Sequence, residues 1–294
     1  MMAAAALGAG LALPVSAQSS SPAFSGSVWT YGVTQESGWS DFNKSWNGDT
    51  YLCWAASASN LINWWQENSS YASCANNGTP TGENIFRTYV NSFQDLGGAA
   101  QYAWEWWYEG SYLPYDFGLD EYGYSMPHTL DPSTWGGGYY NPKLYQQNIY
   151  YWNDMTAETS SSLPSGYDTF SAYCSDFIVS SLNSCYGVSL GISANDAMGH
   201  AITLWGVDRD DGTGLLTKIY FTDSDDDTTA LRSCSLTEKN GYLHMDGYHS
   251  TLDYYIDSAY GLNLIEAVPE PASFSLLLAG GSLLFLRRKR RLRL

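Results

Sequence analysis

Lys44, Cys53, His200, Asp223 and Asp225 are the residue types that thiol-based acyl chemistry requires, and they follow one another in that order. A cysteine attacks a carbonyl only as a thiolate. It therefore needs an imidazole within hydrogen-bond reach to take its proton, and a third group to fix the imidazole's tautomer. Cys53 opens "CWAASASNLINWW", a stretch with helical spacing. A thiol at a helix N-terminus feels the partial positive charge of that end, which lowers its pKa. Cys53 has two other readings, half of a disulfide or a small buried hydrophobe. The chain holds five cysteines, Cys53, Cys74, Cys174, Cys185 and Cys234. Four of them can pair in three ways with one left over, and Cys53 is the best odd one out. No pair has the CxxC spacing of a structural zinc site.

His128, His200, His244 and His249 are the available imidazoles. His200 begins "GHAITLWGVDRDDGTGLLTKIYFTDSD", two strand-like arms around "DRDDGTG". A two-residue turn at Asp211-Gly212 would set His200 directly opposite Asp223, with Asp225 two residues further along the same face. A bulge at Gly212 or Gly214 would slide the pairing by one residue and bring Thr222 or Ser224 opposite His200 instead. "TDSDDD" also reads as a solvated acidic loop or a weak calcium site. The Cys53 N–H supplies one oxyanion donor; Asn43, Lys44 and Asn47, in "FNKSWNGDTYLC", offer the second. This chemistry needs neither cofactor nor metal.

Such residues need rigid elements beneath them. Trp54, Ala58, Leu61 and Trp65 form one apolar face of a helix from Cys53 to about Gln66, with Asp49 or Thr50 as its cap. Residues 81–93, 99–110 and 167–185 read as further helices. Residues 186–193, 200–207, 215–223 and 254–267 read as strands, and the Gly-, Tyr- and Pro-rich stretch 111–166 as long loops. Helices first and strands later indicate an α+β layout of two packed lobes.

Composition narrows the function. Six of thirteen basic residues follow Leu286, so seven face 29 acidic residues before the Pro-Glu-Pro at 269–271. A body of about −22 repels nucleic acid and anionic membranes, so no nucleic-acid partner is expected. Residues 1–17 close on "VSA", a small-x-small pattern that predicts signal-peptide cleavage after Ala17 and export. A Ser-rich linker follows.

Together "SVWTYGVT" (27–34), "GWSDFNKSWNGDTYLCWAASASNLINWW" (38–65), "GENIF" (82–86) and the His–Asp block (199–225) resemble the secreted immunoglobulin G-degrading cysteine endopeptidases of streptococci, the IdeS/Mac family. The resemblance implies a papain-like two-lobe cysteine protease fold, α+β, with the Cys helix packed against an antiparallel β lobe. It implies hydrolysis of peptide bonds in an extracellular, immunoglobulin-like protein substrate, without a cofactor. By motif, Cys53 falls on the nucleophile, His200 on the general base and Asp223 on the Asp that orients it. Asp225 falls on the second Asp and Lys44 on the oxyanion lysine. Trp54 stands where that family carries glycine.

The end of the chain, "VPEPASFSLLLAGGSLLFLRRKRRLRL", resembles the PEP-CTERM sorting signal. That implies export through a Gram-negative envelope, transient membrane anchoring and removal by an exosortase-type enzyme. The expected organisation is a signal peptide (1–17), a peptidase domain (18–266) and a sorting segment (267–294). Two rival functions share the same residues: a transglutaminase-like acyl transferase, and a catalytically inactive surface binding module.

Overall fold

The computed structural model describes residues 26–110, 136–140, 152–156, 163–194 and 199–264. The expected signal peptide, the sorting segment and His128 lie outside the described residues.

Helix α1 (Cys53–Asn68) is longer than expected by two residues and buries eleven side chains, Trp54, Leu61, Trp64 and Trp65 among them. Neither Asp49 nor Thr50 caps it, because both are used otherwise. The N-cap is Leu52, without a side-chain bond. The Asp49 carboxylate instead accepts Ser45 N, Ser45 Oγ and Asn47 N, folding the turn before the helix. The free donors ahead of α1 go to a distant carboxylate, as Thr50 N and Tyr51 N donate to Asp95 at 3.0 and 2.6 Å. Helices α2 (Glu83–Ser92) and α3 (Ala100–Trp104) follow, α3 running into a π-helical turn (Glu105–Glu109) that Gly110 ends in the left-handed region. Helix α4 (Phe170–Asn183) begins where the Thr169 hydroxyl accepts Ala172 N.

Eight strands complete the described fold: β1 (Gly26–Trp29), β2 (Trp152–Thr156), β3 (Tyr186–Ala194), β4 (His200–Arg209), β5 (Leu216–Thr222), β6 (Arg232–Lys239), β7 (Tyr242–Asp246) and β8 (Tyr254–Asn263). All pairings between them are antiparallel. The order β4-β3-β8-β7-β6-β5 returns to β4 through the β4–β5 ladder, which closes a six-stranded barrel. β1 adds to β4 and β2 to β8 outside that ring.

This overturns the papain-like expectation. The chain does not divide into an α lobe and an antiparallel β lobe; six of its strands close into a barrel. The cause is local. The register slips between Leu204 and Gly206 in β4–β5 and between Gly191 and Ile192 in β3–β8. Such bulges bend and twist a strand and let a sheet curl until its edges meet. β6 turns only Cys234 and Leu236 inward among polar neighbours and β7 is five residues long, so neither shows an extended apolar alternation.

Two cores result. One unites apolar side chains of the barrel strands, such as Leu190, Leu204, Ile219 and Ile256, with Phe170, Cys174 and Ile178 of α4. The other unites the tryptophans of α1 and α3 with Trp205 of β4 and Leu262 of β8. Between α1 and the barrel runs a buried polar seam. Ser57 Oγ donates to Ser189 Oγ at 2.8 Å, and Asn60 Nδ2 to Thr203 Oγ1 at 3.0 Å. The Asn60 carbonyl accepts Phe42 N. Each bond contributes about 1 kcal/mol net, and an unmet partner costs about 1–3 kcal/mol, so the seam sets one register of α1 on β3 and β4. That register brings the first residue of α1 to the start of β4.

Candidate functional site

Cys53 and His200 meet at the seam's end, where the thiol and the imidazole are hydrogen-bonded. The other ring nitrogen is taken: His200 Nε2 lies 2.8 Å from Asp223 Oδ1. Nδ1 is the ring nitrogen left on the Cys53 side, and it also lies 3.8 Å from Asp225 Oδ1. Both partners of the relay are nearly sealed, with side-chain exposures of 9% for His200 and 3% for Asp223. Ala201 N–H also reaches the Cys53 sulfur.

The electrostatics follow from this packing. Burial alone would raise the Cys53 thiol. The hydrogen bond and charge of His200, with Lys44 and Ala201 N–H, outweigh it and hold the thiol below its ordinary value. Burial alone would lower His200, but the bonds to Asp223 and Cys53 raise it to about 10. Burial would raise Asp223; His200, the Asp225 N–H and Tyr248 bring it down to about 2. All three shifts favour thiolate, imidazolium and carboxylate at neutral pH.

Asp223 reaches His200 by a route other than the expected one. The turn is nucleated by Asp210, whose Oδ1 accepts Thr213 N and Thr213 Oγ1 at 2.7 and 2.8 Å. Asp210 N donates to Leu215 O, and Gly214 takes a φ of 74°. The loop is thus longer than a two-residue Asp211-Gly212 turn. Thr203 then pairs with Thr222. Continued by one residue, that pairing sets Asp223 beside Ile202 rather than His200. The contact is diagonal on one face, which a long imidazole can span.

Lys44 comes to the same place from the loop before α1. Its N–H donates to Ser224 O at 2.9 Å. Its Nζ donates to Thr50 O at 2.8 Å and lies 2.5 Å from Asp225 Oδ1. The Trp46 ring covers it at 4.3 Å. An ammonium has three protons. Two are committed, to Thr50 O and Asp225 Oδ1. Asn43 turns away, its amide donating to Thr228 O, and Asn47 uses its N–H on Asp49.

His200, Asp223 and Asp225 offer ligand atoms within 4.8 Å of one another, close enough for a cation. Protein cations already hold those oxygens: Lys44 on Asp225, and Arg232 on Asp223 Oδ2 at 3.0 Å. The cluster is thus charge-compensated by the chain itself.

The remaining described histidines are occupied elsewhere. His244 Nδ1 faces Asp253 at 3.1 Å, and His249 Nδ1 accepts Thr251 N and Leu252 N. None of the five cysteines forms a disulfide. Trp54 is fully buried, and its indole donates to Leu96 O. Among the described residues no helix is long and apolar enough to cross a membrane. Four functional-site neighbours escape sequence reasoning: Asp41, Asp95, Arg232 and Tyr248. Arg232 has a weak signal, being one of seven basic residues in an acidic body. Tyr248, one of 24 tyrosines, has none.

No known protein family matches the chain, and no curated protein sequence matches it. The resemblance to immunoglobulin-degrading endopeptidases therefore rests on the motif blocks alone.

Proposed function

We propose that the chain is an exported cysteine endopeptidase that hydrolyses peptide bonds of an extracellular protein through Cys53, His200 and Asp223. The observation that carries this reading is the line from the Cys53 thiol through His200 to Asp223 Oδ1, set at the first residue of α1. The motif blocks of the streptococcal proteases support it.

The Cys53 thiolate attacks the scissile carbonyl carbon. The carbonyl π electrons move to oxygen, and the Cys53 N–H and the third proton of Lys44 receive that charge. The imidazolium gives its proton to the leaving amine as the C–N bond breaks, which leaves a thioester. Neutral His200 then takes a proton from water as the water oxygen bonds to the thioester carbon, and the C–S bond breaks with its electrons returning to sulfur, which releases the carboxylic acid and restores the Cys53 thiolate beside the imidazolium. Asp223 stays ionised and holds the ring throughout.

The test is fragment analysis by mass spectrometry after incubating the purified protein with immunoglobulin G and with a denatured protein. Cleavage by the parent that is lost in Cys53→Ala and His200→Ala supports the reading. Cleavage unchanged in Cys53→Ala overturns it. An added primary amine that turns up in isopeptide linkage, in place of hydrolysis, would redirect it to acyl transfer.

A further inference from the structure

The Asp223 carboxylate has two oxygens with about four lone-pair sites, and the chain fills all four. Oδ1 receives His200 Nε2 at 2.8 Å and Asp225 N at 3.1 Å. Oδ2 receives Tyr248 Oη at 2.8 Å and Arg232 Nη1 at 3.0 Å. The four donors come from β4, from Asp223's own loop, from the segment after β7 and from the first residue of β6. A rotation of the carboxylate would break bonds on both oxygens together.

The two outer donors are themselves held. Arg232 pairs with Phe221 across the β5–β6 ladder. Its guanidinium lies over the Phe221 and Tyr248 rings at 5.3 and 5.4 Å, and Nη1 also reaches Asp226 Oδ2 at 3.3 Å. The Tyr248 and Phe221 rings are in contact at 5.9 Å. Tyr248 N donates to Met245 O. The other ionisable groups near this carboxylate are Asp41 from the loop before α1, Asp225 (paired with Lys44) and Asp226 from its own loop, and Tyr254 of β8. Asp41, Asp226 and Tyr254 add no positive charge, so Arg232 and His200 are its cationic partners.

We infer that Tyr248 and Arg232 are positioning residues, a clamp that fixes the orientation and ionisation of Asp223 and, through it, the ring of His200. The inference rests on the catalytic reading above and adds to it: the relay is built from five side chains, of which only Cys53 and His200 reach reacting atoms. Tyr248 is suited to the task because burial and the neighbouring Asp223 carboxylate push its phenol far up, so it remains a donor. Arg232 is suited because a guanidinium does not give up its proton.

The test reads the His200–Asp223 bond directly. In protein labelled at its four histidines, the His200 Nε2–H signal is followed by NMR as pH falls, in the parent and in Tyr248→Phe, Arg232→Gln and Arg232→Lys. Losing a donor or a cation raises the carboxyl pKa. The acid midpoint at which the signal collapses should rise by about one pH unit in Tyr248→Phe and Arg232→Gln, a tenfold change in proton affinity. Arg232→Lys, which keeps the charge, should recover part of that shift. On a cleaved protein, kcat should fall about tenfold with KM nearly unchanged. Folded variants that melt earlier but keep the parent midpoint would reduce the two residues to a structural role and overturn the inference. Tyr248→Phe removes a single oxygen and carries the test if Arg232→Gln does not fold. A parent that cleaves nothing would remove the catalytic reading, while the NMR midpoint would still decide the clamp.

Discussion

Lys44 Nζ stands 2.5 Å from Asp225 Oδ1, with 2% of the lysine side chain exposed. A lysine this buried is rare unless paired. The pair explains how a lysine side chain is held beside Cys53 rather than in solvent. Asp225 holds one proton and Thr50 O another; the proposed reaction uses the third on a substrate oxygen.

Lys44→Ala should therefore lower kcat by about 10²–10³ with a smaller change in KM, the usual cost of losing an oxyanion donor. Asp225→Asn leaves the ammonium in place and should cost less. Steady-state kinetics on a cleaved protein checks both; a loss under about tenfold in Lys44→Ala would reduce the residue to a structural one.

The relay also predicts how stability depends on pH. Asp223 is held at about 2, below the ordinary 3.8, so its contribution is present above 3.8 and lost as pH falls through about 2. His200 is raised from 6.5 to about 10, so its contribution is complete below 6.5 and lost as pH rises through about 10. The pair contributes fully between about pH 4 and 6.5. Asp223→Asn should cost on the order of 3 kcal/mol at pH 5, and the difference should shrink as pH approaches 2. Urea unfolding of both proteins across that range measures it.

Asp41 acts with the opposite sign. Burial raises its carboxyl from 3.8 to about 7, against the help of Ala230 N–H, and its Oδ1 is buried without a partner. The native state binds its proton more tightly than the unfolded chain, so this group lowers stability as pH climbs from about 4 to 7. Asp41→Asn should flatten that slope in urea titrations by about 1 kcal/mol or more over the interval. An unchanged slope would mean the carboxyl is ionised throughout.

Much of the site was legible because its chemistry is carried by residue type and local pattern. Cys53 at a helix start, His200 at a strand start and Lys44 ahead of both can be read from short windows. The route by which Asp223 meets His200 was not legible, since it depends on Asp210 rather than Asp211 starting the turn and on slips in the ladder. Barrel closure was hidden because it rests on pairings no short window contains, β3 with β8, and β6 and β7 between β5 and β8. β6 was missed because a half-exposed strand rich in Ser, Thr, Glu and Lys carries little apolar alternation, and β7 because its five residues are too few to show a period. Arg232 and Tyr248 reach Asp223 from other elements, so no short window contains the contact.

The central claim is that Cys53 is a thiolate made by His200, and site-resolved alkylation of Cys53 against pH tests it most directly. Rapid alkylation that persists well below about pH 7 and slows in His200→Ala is the expected result. A Cys53 that reacts only near about pH 8.5, as an ordinary thiol does, or that reacts equally in the His200 variant, would contradict it.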